Sequence, residues 1–214
     1  MRTMIINDFI ALLQQQLQKP LPGANAQNKM APAIRNFQNN SDKSIARKSA
    51  VLLLLYKKND ILNIAYFKRP EYDGPHSGQI AFPGGKFENT DKNLQETALR
   101  ETLEEFGISP QKIQILGSLT NLFIPVSNSE VTPFVGFMSE TPHFIPNKDE
   151  VQYIIEIELS LITNPSFKTS RLKERRGLEI ETPMYTFNNE EIWGATAMIT
   201  SEFEEIINSI NFHI

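Results

Sequence analysis

Apolar residues recur along this chain in two rhythms, one suited to helices and one to strands. Phe9, Leu12, Leu13 and Leu17 are spaced for a short amphipathic helix, with Asn7 or Asp8 as its N-cap. Pro20, Pro22 and Gly23 end that helix. Residues 23–48 are polar, rich in Gln and Asn and weakly patterned, so residues 1–48 read as an N-terminal helix followed by an extended arm. Within the arm, Met30-Ala31-Pro32 either packs on the core or shields a functional site. From Ser49 the rhythm changes. Ser49 to Tyr56 and Ile61 to Phe67 read as strands joined across the turn-rich Lys57-Lys58-Asn59-Asp60. Gln79 to Phe82 is a short strand entering a Pro-Gly-Gly turn, and a helix is predicted from about Asp91 to Phe106. Ile113 to Leu122, Val131 to Met138 and Val151 to Leu159 read as further strands, the last followed by a helical turn before Pro165. Gly177 to Phe187 reads as a hairpin. Ala195, Ile199, Phe203, Ile206 and Ile210 form the stripe of one long helix, although Ser201 with Glu204 also resembles a capping box that would restart it. Strands mixed with a few helices, without strict alternation, predict a mixed α/β fold with a mixed sheet between helices.

Composition narrows the chemistry. A chain of 214 residues is long enough to bury a sizeable core as one decorated domain. The net charge of −4 and the absence of a basic stripe argue against a general nucleic-acid binder, so no nucleic-acid partner is expected. A small anionic substrate is still compatible, because a bound cation and a few local charges dominate a pocket. With no cysteine, disulfides, thiolate catalysis and Cys-ligated zinc are excluded. The longest apolar run, Ala50 to Tyr56, has the length of a buried strand rather than of a membrane span, and the first residues do not read as a signal peptide. Cytoplasmic residence is the expectation, with no membrane partner; a homodimer is compatible with the sequence.

The most informative stretch runs from Phe82 to Ile108, FPGGKFENTDKNLQETALRETLEEFGI. At roughly 100° per helical residue, Glu101, Glu104 and Glu105 fall within an arc about 100° wide. Leu94, Ala98, Leu99, Thr102, Leu103 and Phe106 occupy the arc beside and opposite, so one stripe packs inward while the carboxylates project together. Three like charges on one face repel each other. They become favourable beside a hard divalent cation, since Mg²⁺ takes oxygen ligands. Three glutamates alone describe a solvated acidic face. The Gly-Gly turn ahead of them and Gly107 as C′ cap set this helix apart.

This segment resembles the Nudix box, G-x5-E-x7-R-E-U-x-E-E-x-G-U, where U is aliphatic. RETLEEFGI supplies the second half, with Thr102 at the first U. From Gly85 to Arg100 there is one residue more than the usual box, and Asp91 stands near the place of the usual glutamate. That departure is similar to the coenzyme A pyrophosphatase branch of the Nudix hydrolases. So is the stretch YFKRPEYDGPHSGQIAFPGGK (Tyr66 to Lys86), which resembles that branch's upstream signature of an Arg followed by H-x-G-Q-(I/V)-x-F-P-G-G. Weaker similarity continues through Ile124 to Gly136, Asp149 to Ile162 and Glu191 to Ala197.

The resemblance implies a Nudix hydrolase domain over residues 49–214, an α/β/α sandwich with a central mixed sheet. It implies hydrolysis of a small-molecule diphosphate, coenzyme A or its thioesters, using Mg²⁺ or Mn²⁺. By its motif, Glu104 and Glu105 bind metal, and Glu101 binds metal or assists proton transfer. Gly85 matches the turn whose carbonyl joins the metal shell. Arg100 is placed to orient a carboxylate through a charged hydrogen bond, and Asp91 caps or buttresses the helix start. His76, Gln79 and Arg69 belong to the upstream signature, with Arg69 the better phosphate ligand because its donor fork is rigid. Lys86, next to the Gly-Gly turn, is a second anion-binding candidate. Many members of the branch carry a basic residue where this chain has Gly74. Trp193 and Tyr185 are candidates to stack on adenine, against a core role for each; Glu130 and Glu150 are candidate further carboxylates. The alternatives are a Nudix hydrolase of another nucleoside diphosphate derivative, such as ADP-ribose or a dinucleotide, and a catalytically silent ligand-binding domain.

Overall fold

The chain's longest apolar run becomes the middle strand of a sheet covered on both faces. The structure is a computed structural model that describes residues 2–33, 46–74, 76–175 and 177–210. Strand β1 (Arg47–Lys58) pairs antiparallel with β2 (Ile61–Lys68) across Asn59 and Asp60, whose φ values of 51° and 59° suit a two-residue primed turn. Its even positions Leu52, Leu54 and Tyr56 pack on one face, and its odd positions Leu53 and Leu55 on the other. Burial on both sides accounts for an unbroken apolar run where a half-buried strand would alternate.

The remaining strands extend the sheet. They are β3 (Ile80–Ala81), β4 (Gly84–Lys86), β5 (Gln114–Ser118), β6 (Leu122–Ile124), β7 (Ser129–Met138) and β8 (Tyr153–Glu158). The order β3-β2-β1-β7-β5 is mixed, with β1 and β7 parallel and the other pairs antiparallel; β4 joins β1, β6 joins β7 and β8 joins β2. Helix α1 (Arg2–Gln16) and helix α5 (Gly194–Ser209) cover the Leu53 face; α3 (Leu94–Phe106) covers the Leu52 face through Ala98 and Phe106. This is the expected α/β/α sandwich. Two short helices, α2 (Ala24–Gln27) and α4 (Leu159–Ile162), complete the helices, and β9 (Lys168–Arg175), β10 (Leu178–Phe187) and β11 (Glu190–Trp193) form a separate antiparallel sheet. Among the described residues no helix is long and apolar enough to cross a membrane.

Several elements differ from the sequence reading. Helix α1 begins at Arg2 rather than at an Asn7 or Asp8 cap, because Ile6 and Ile10 join Phe9, Leu13 and Leu17 in the buried stripe, while Leu12 is 39% exposed. The arm is not extended over residues 24–30: α2 and a 3-10 turn (Asn28–Met30) fold back and bury Ala26 and Met30. Residues 34–45 of the arm lie outside the described residues. Helix α3 starts at Leu94, capped by the Asn93 side chain, which accepts from Glu96 N–H at 2.9 Å. Gly107 ends it in the left-handed conformation, as its C′ position predicts. The expected strand from Ile113 to Leu122 divides into β5 and β6. Residues 177–187 are not a hairpin by themselves: β10 is one long strand, and its partner β9 precedes it. Helix α5 runs uninterrupted through Ser201, whose hydroxyl bonds Ala26 O instead of restarting the helix.

Candidate active site

The two glycines of the Pro-Gly-Gly segment lie in a strand, β4, with Pro83 in the bend before it. Val51 pairs with Gly84 and Ala50 with Gly85, so β4 lies directly against β1. A Cβ at Gly84, with φ 154°, would stand 2.6 Å from Val51 Cα, so only glycine permits the approach. A Cβ at Gly85 would collide with the Glu101 carboxylate. The two glycines thus bring a bare backbone edge against the acidic face of α3.

The three glutamates share one face of the helix but not one depth. Glu105 is 2% exposed and its Oε2 accepts from Gly84 N–H at 2.9 Å. The Glu101 side chain is 13% exposed, and that of Glu104 is 50% exposed. Residues adjacent on the helical wheel therefore sit at three depths, because the sheet covers one edge of the arc. Burial pushes the Glu105 carboxyl up to about 8, opposed by the Gly84 N–H and Arg69 and reinforced by Glu101 and Glu150. Burial likewise raises Glu101. Of the two further carboxylates singled out in the sequence, Glu150 is the one that acts on both Glu101 and Glu105; Glu130 is exposed on β7.

Arg100 organises the helix start. Its Nε and Nη2 donate to the two Asp91 oxygens at 2.9 and 3.1 Å. Nη2 also reaches Lys86 O at 3.0 Å, and Nη1 reaches Glu101 and Glu104 at 3.0 and 3.2 Å. Asp91 receives Glu88 N–H and Thr97 Oγ1–H as well, which makes it a buttress rather than the cap. The Arg100 guanidinium holds the Asp91 carboxyl well below the usual carboxylate range.

A cleft of about 490 Å³ opens beside Gly85. Arg69, His76 and Gln79 line it. Arg69 N–H donates to Gln79 O at 3.0 Å, and its guanidinium lies 5.3 Å from the Phe67 ring centre. His76 sits at φ 69° with Nδ1 3.1 Å from Gln79 Oε1. Lys86 is not in the cleft wall: its side chain is exposed at the end of β4, where alternation turns it outward. A Cβ at Gly74 would meet the Tyr72 ring at 3.0 Å, so a larger residue there must displace that ring.

Sequence reasoning missed most of the cleft's walls. Pro32, Ile124, Pro125, Val126 and Ile199 make them largely apolar, and Thr196 closes one side. Met30 packs in the core, the first of its two alternatives, and Pro32 two residues on lines the cleft. Trp193 is half-buried on the wall and also borders a second, open groove that shares Gln79 with the cleft. Tyr185 is a core residue, fully buried and donating to Glu204 at 2.6 Å, so it stacks on no ligand.

Among the described residues no three His, Asp or Glu side chains converge as a ready metal cluster. Arg100 occupies oxygens of Glu101 and Glu104 instead. The donor chemistry still fits a hard divalent ion: the groups are carboxylate oxygens at graded depth, and for Glu101 and Glu105 burial and like charge both disfavour the ionised form without a cation.

Fold and site together define an α/β/α enzyme built on an acidic helix under a cleft. The NUDIX domain family profile matches residues 46–166. An uncharacterized Nudix hydrolase, NudL, of Pectobacterium atrosepticum is 32% identical over 198 residues, which cover 91% of this chain and 90% of that protein. NudL of an Enterobacter species is 33% identical over 156 residues, 73% of this chain and 80% of its own length. The crystal structure of RenU, a Nudix hydrolase of M. smegmatis, shares the fold with a TM-score of 0.53 at 13% identity, covering 79% of this chain and 90% of that one. The chain belongs to the Nudix hydrolases, enzymes that act on phosphoric anhydrides and generally use divalent metal ions.

Proposed function

We propose that this Nudix hydrolase cleaves the diphosphate of coenzyme A or its thioesters, releasing (acyl-)phosphopantetheine and adenosine 3′,5′-bisphosphate. The observation that carries the reading is the junction of unlike surfaces at Gly85: carboxylates on one side, and on the other a cleft that is largely apolar apart from Arg69, His76 and Gln79. A pantetheine arm presents methyls and methylenes to such walls, whereas the second ribose of ADP-ribose would strip its hydroxyls of water there. Glu101, Glu104 and Glu105, with the Gly85 carbonyl, would hold Mg²⁺ or Mn²⁺. Bound there, the ion supplies charge to offset the phosphoryl oxygens and acidifies an attacking water.

The chain's own groups do the rest. Arg69 offers a planar donor fork to the diphosphate, and Gln79 holds His76 facing the cleft. Arg100, anchored on Asp91, keeps Glu101 and Glu104 from turning away. Attack of water on one phosphorus breaks its bond to the bridging oxygen, which leaves with the other phosphoryl group.

The test is kcat/KM for coenzyme A, dephospho-coenzyme A and ADP-ribose at one Mg²⁺ concentration, with products identified by mass. Coenzyme A should lead ADP-ribose and exceed dephospho-coenzyme A only modestly, since Gly74 offers no cation for the 3′-phosphate. Arg69→Ala should lower kcat/KM by about 10- to 100-fold, the usual worth of a charged hydrogen bond. A tenfold or greater advantage for ADP-ribose would replace this reading with hydrolysis of that nucleotide.

A further inference from the structure

Glu202 lies in the middle of α5, and it is 0% exposed. Its oxygens are met by neutral N–H groups from two other parts of the chain. Gly23 N–H and Thr120 N–H donate to Oε1, each at 3.2 Å, and Gln27 Nε2 donates to Oε2 at 2.8 Å. The Gln27 amide also reaches Thr120 O at 3.0 Å, and neighbouring Ser201 Oγ donates to Ala26 O at 2.9 Å. A carboxylate removed from water is costly unless donors satisfy it, so a bland structural role would be served more cheaply by an apolar side chain.

Glu202, Gln27 and Thr120 do not line the cleft, yet each of their segments runs into one of its walls. The chain after Gln27 passes through Met30 to Pro32. The chain after Thr120 passes along β6 to Ile124 and Pro125. Helix α5 itself presents Ile199, less than one turn before Glu202, and Thr196. Helix α3 packs its apolar stripe on the opposite face of the sheet, and its carboxylates share none of these bonds.

We infer that Glu202 is a positioning residue that joins three cleft walls at one buried node and thereby sets substrate affinity without taking part in the chemical step. The kinetic half of this inference rests on the hydrolase reading above. The geometric half does not, because Trp193, the single tryptophan of the chain, stands on the cleft wall and reports its geometry by fluorescence.

The experiment compares the full-length parent with Glu202→Gln and Gln27→Met, which break the node from its two sides. Tyr185→Phe is the control; it removes a buried hydrogen bond to Glu204 and a side-chain contact with Ser201 on the same helix, and leaves the Glu202 bonds to Gly23, Gln27 and Thr120 in place. The substrate is whichever compound of the panel the parent hydrolyses fastest, and folding is verified by circular dichroism. Both node variants should raise KM about tenfold, the worth of roughly one buried hydrogen bond, with kcat within about twofold. Both should also make Trp193 more accessible to acrylamide. Tyr185→Phe should lower the melting temperature while KM and quenching stay at the parental values. Parental KM and quenching in the node variants would overturn the inference, as would a fall in kcat at unchanged KM. An equal KM shift in Tyr185→Phe would also overturn it by making the effect a general loosening of α5. If Glu202→Gln does not fold, Gln27→Met decides by the same readouts. If the parent hydrolyses nothing in the panel, the functional reading fails, and acrylamide quenching alone still decides whether the node shapes the cleft.

Discussion

Asp91 and Glu105 are both buried carboxylates of one short segment, and their surroundings push them in opposite directions. Asp91 meets the Arg100 fork, Thr97 Oγ1 and Glu88 N–H, and its proton affinity falls. Glu105 meets Gly84 N–H in a dry place beside Glu101 and Glu150, and its proton affinity rises. The first is an anchor whose charge is balanced within the fold. The second has only Arg69 pulling against burial and two like charges, so the metal-free fold favours its protonated form. Burial alone therefore does not distinguish a structural carboxylate from a chemical one; a cation hydrogen-bonded directly to it does.

The contrast is broken most severely by neutralising the unbalanced member. Glu105→Gln, nearly isosteric, should lower kcat by about 10²- to 10³-fold in Mg²⁺, comparable to losing one transition-state stabiliser, and Glu104→Gln by at least about 10²-fold. Steady-state rates on the best substrate check this; turnover near the parental level in both variants would place the metal elsewhere.

Removing the balancing cation attacks the other member. Arg100→Ala leaves Asp91, with a side chain 3% exposed, as an uncompensated buried charge. A stability loss of about 3 kcal/mol is expected from urea unfolding in excess chelator. A loss below about 1 kcal/mol would class the pair with ordinary surface ion pairs and erase the distinction drawn above.

The subtlest prediction concerns pH in metal-free protein. Glu105 titrates at about 8 when folded against an ordinary 4.5, so between those values the native state holds a proton that the unfolded chain has released. Its contribution to stability is full below 4.5 and lost as pH rises toward 8, at a slope of at most about 1.4 kcal/mol per pH unit. Asp91 has the opposite sign, contributing above the ordinary carboxylate value and losing that contribution on acidification. Urea midpoints across this range should show the neutral-pH decline, and Glu105→Gln should flatten it. An unchanged slope in that variant would mean that Glu105 is ionised in the metal-free fold.

The acidic helix was legible in the sequence because everything that defines it is local. Periodicity places Ala98, Thr102 and Phe106 inward, and Gly107 stops the helix with a conformation glycine adopts freely. Strand β4 was not legible: Gly84, Gly85 and Lys86 carry no alternation, and they form a strand only because β1 lies close enough to pair with them. Tyr185 and Trp193 were equally plausible aromatic ligands by residue type, and only packing separates the buried one from the one on the cleft wall.

Sequence by itself determined the family, the helix bearing Glu101, Glu104 and Glu105, and the buried strand over Ala50 to Tyr56, since each follows from residue order within one or two elements. Tertiary structure decided how deep each glutamate sits, because a helical wheel fixes angles between side chains but not which edge of the arc a sheet will cover. It also decided the cleft, whose walls come from Pro32, Ile124 and Thr196. Residues so distant along the chain become neighbours only when buried contacts such as those at Glu202 offset the entropy of closing the loops between them.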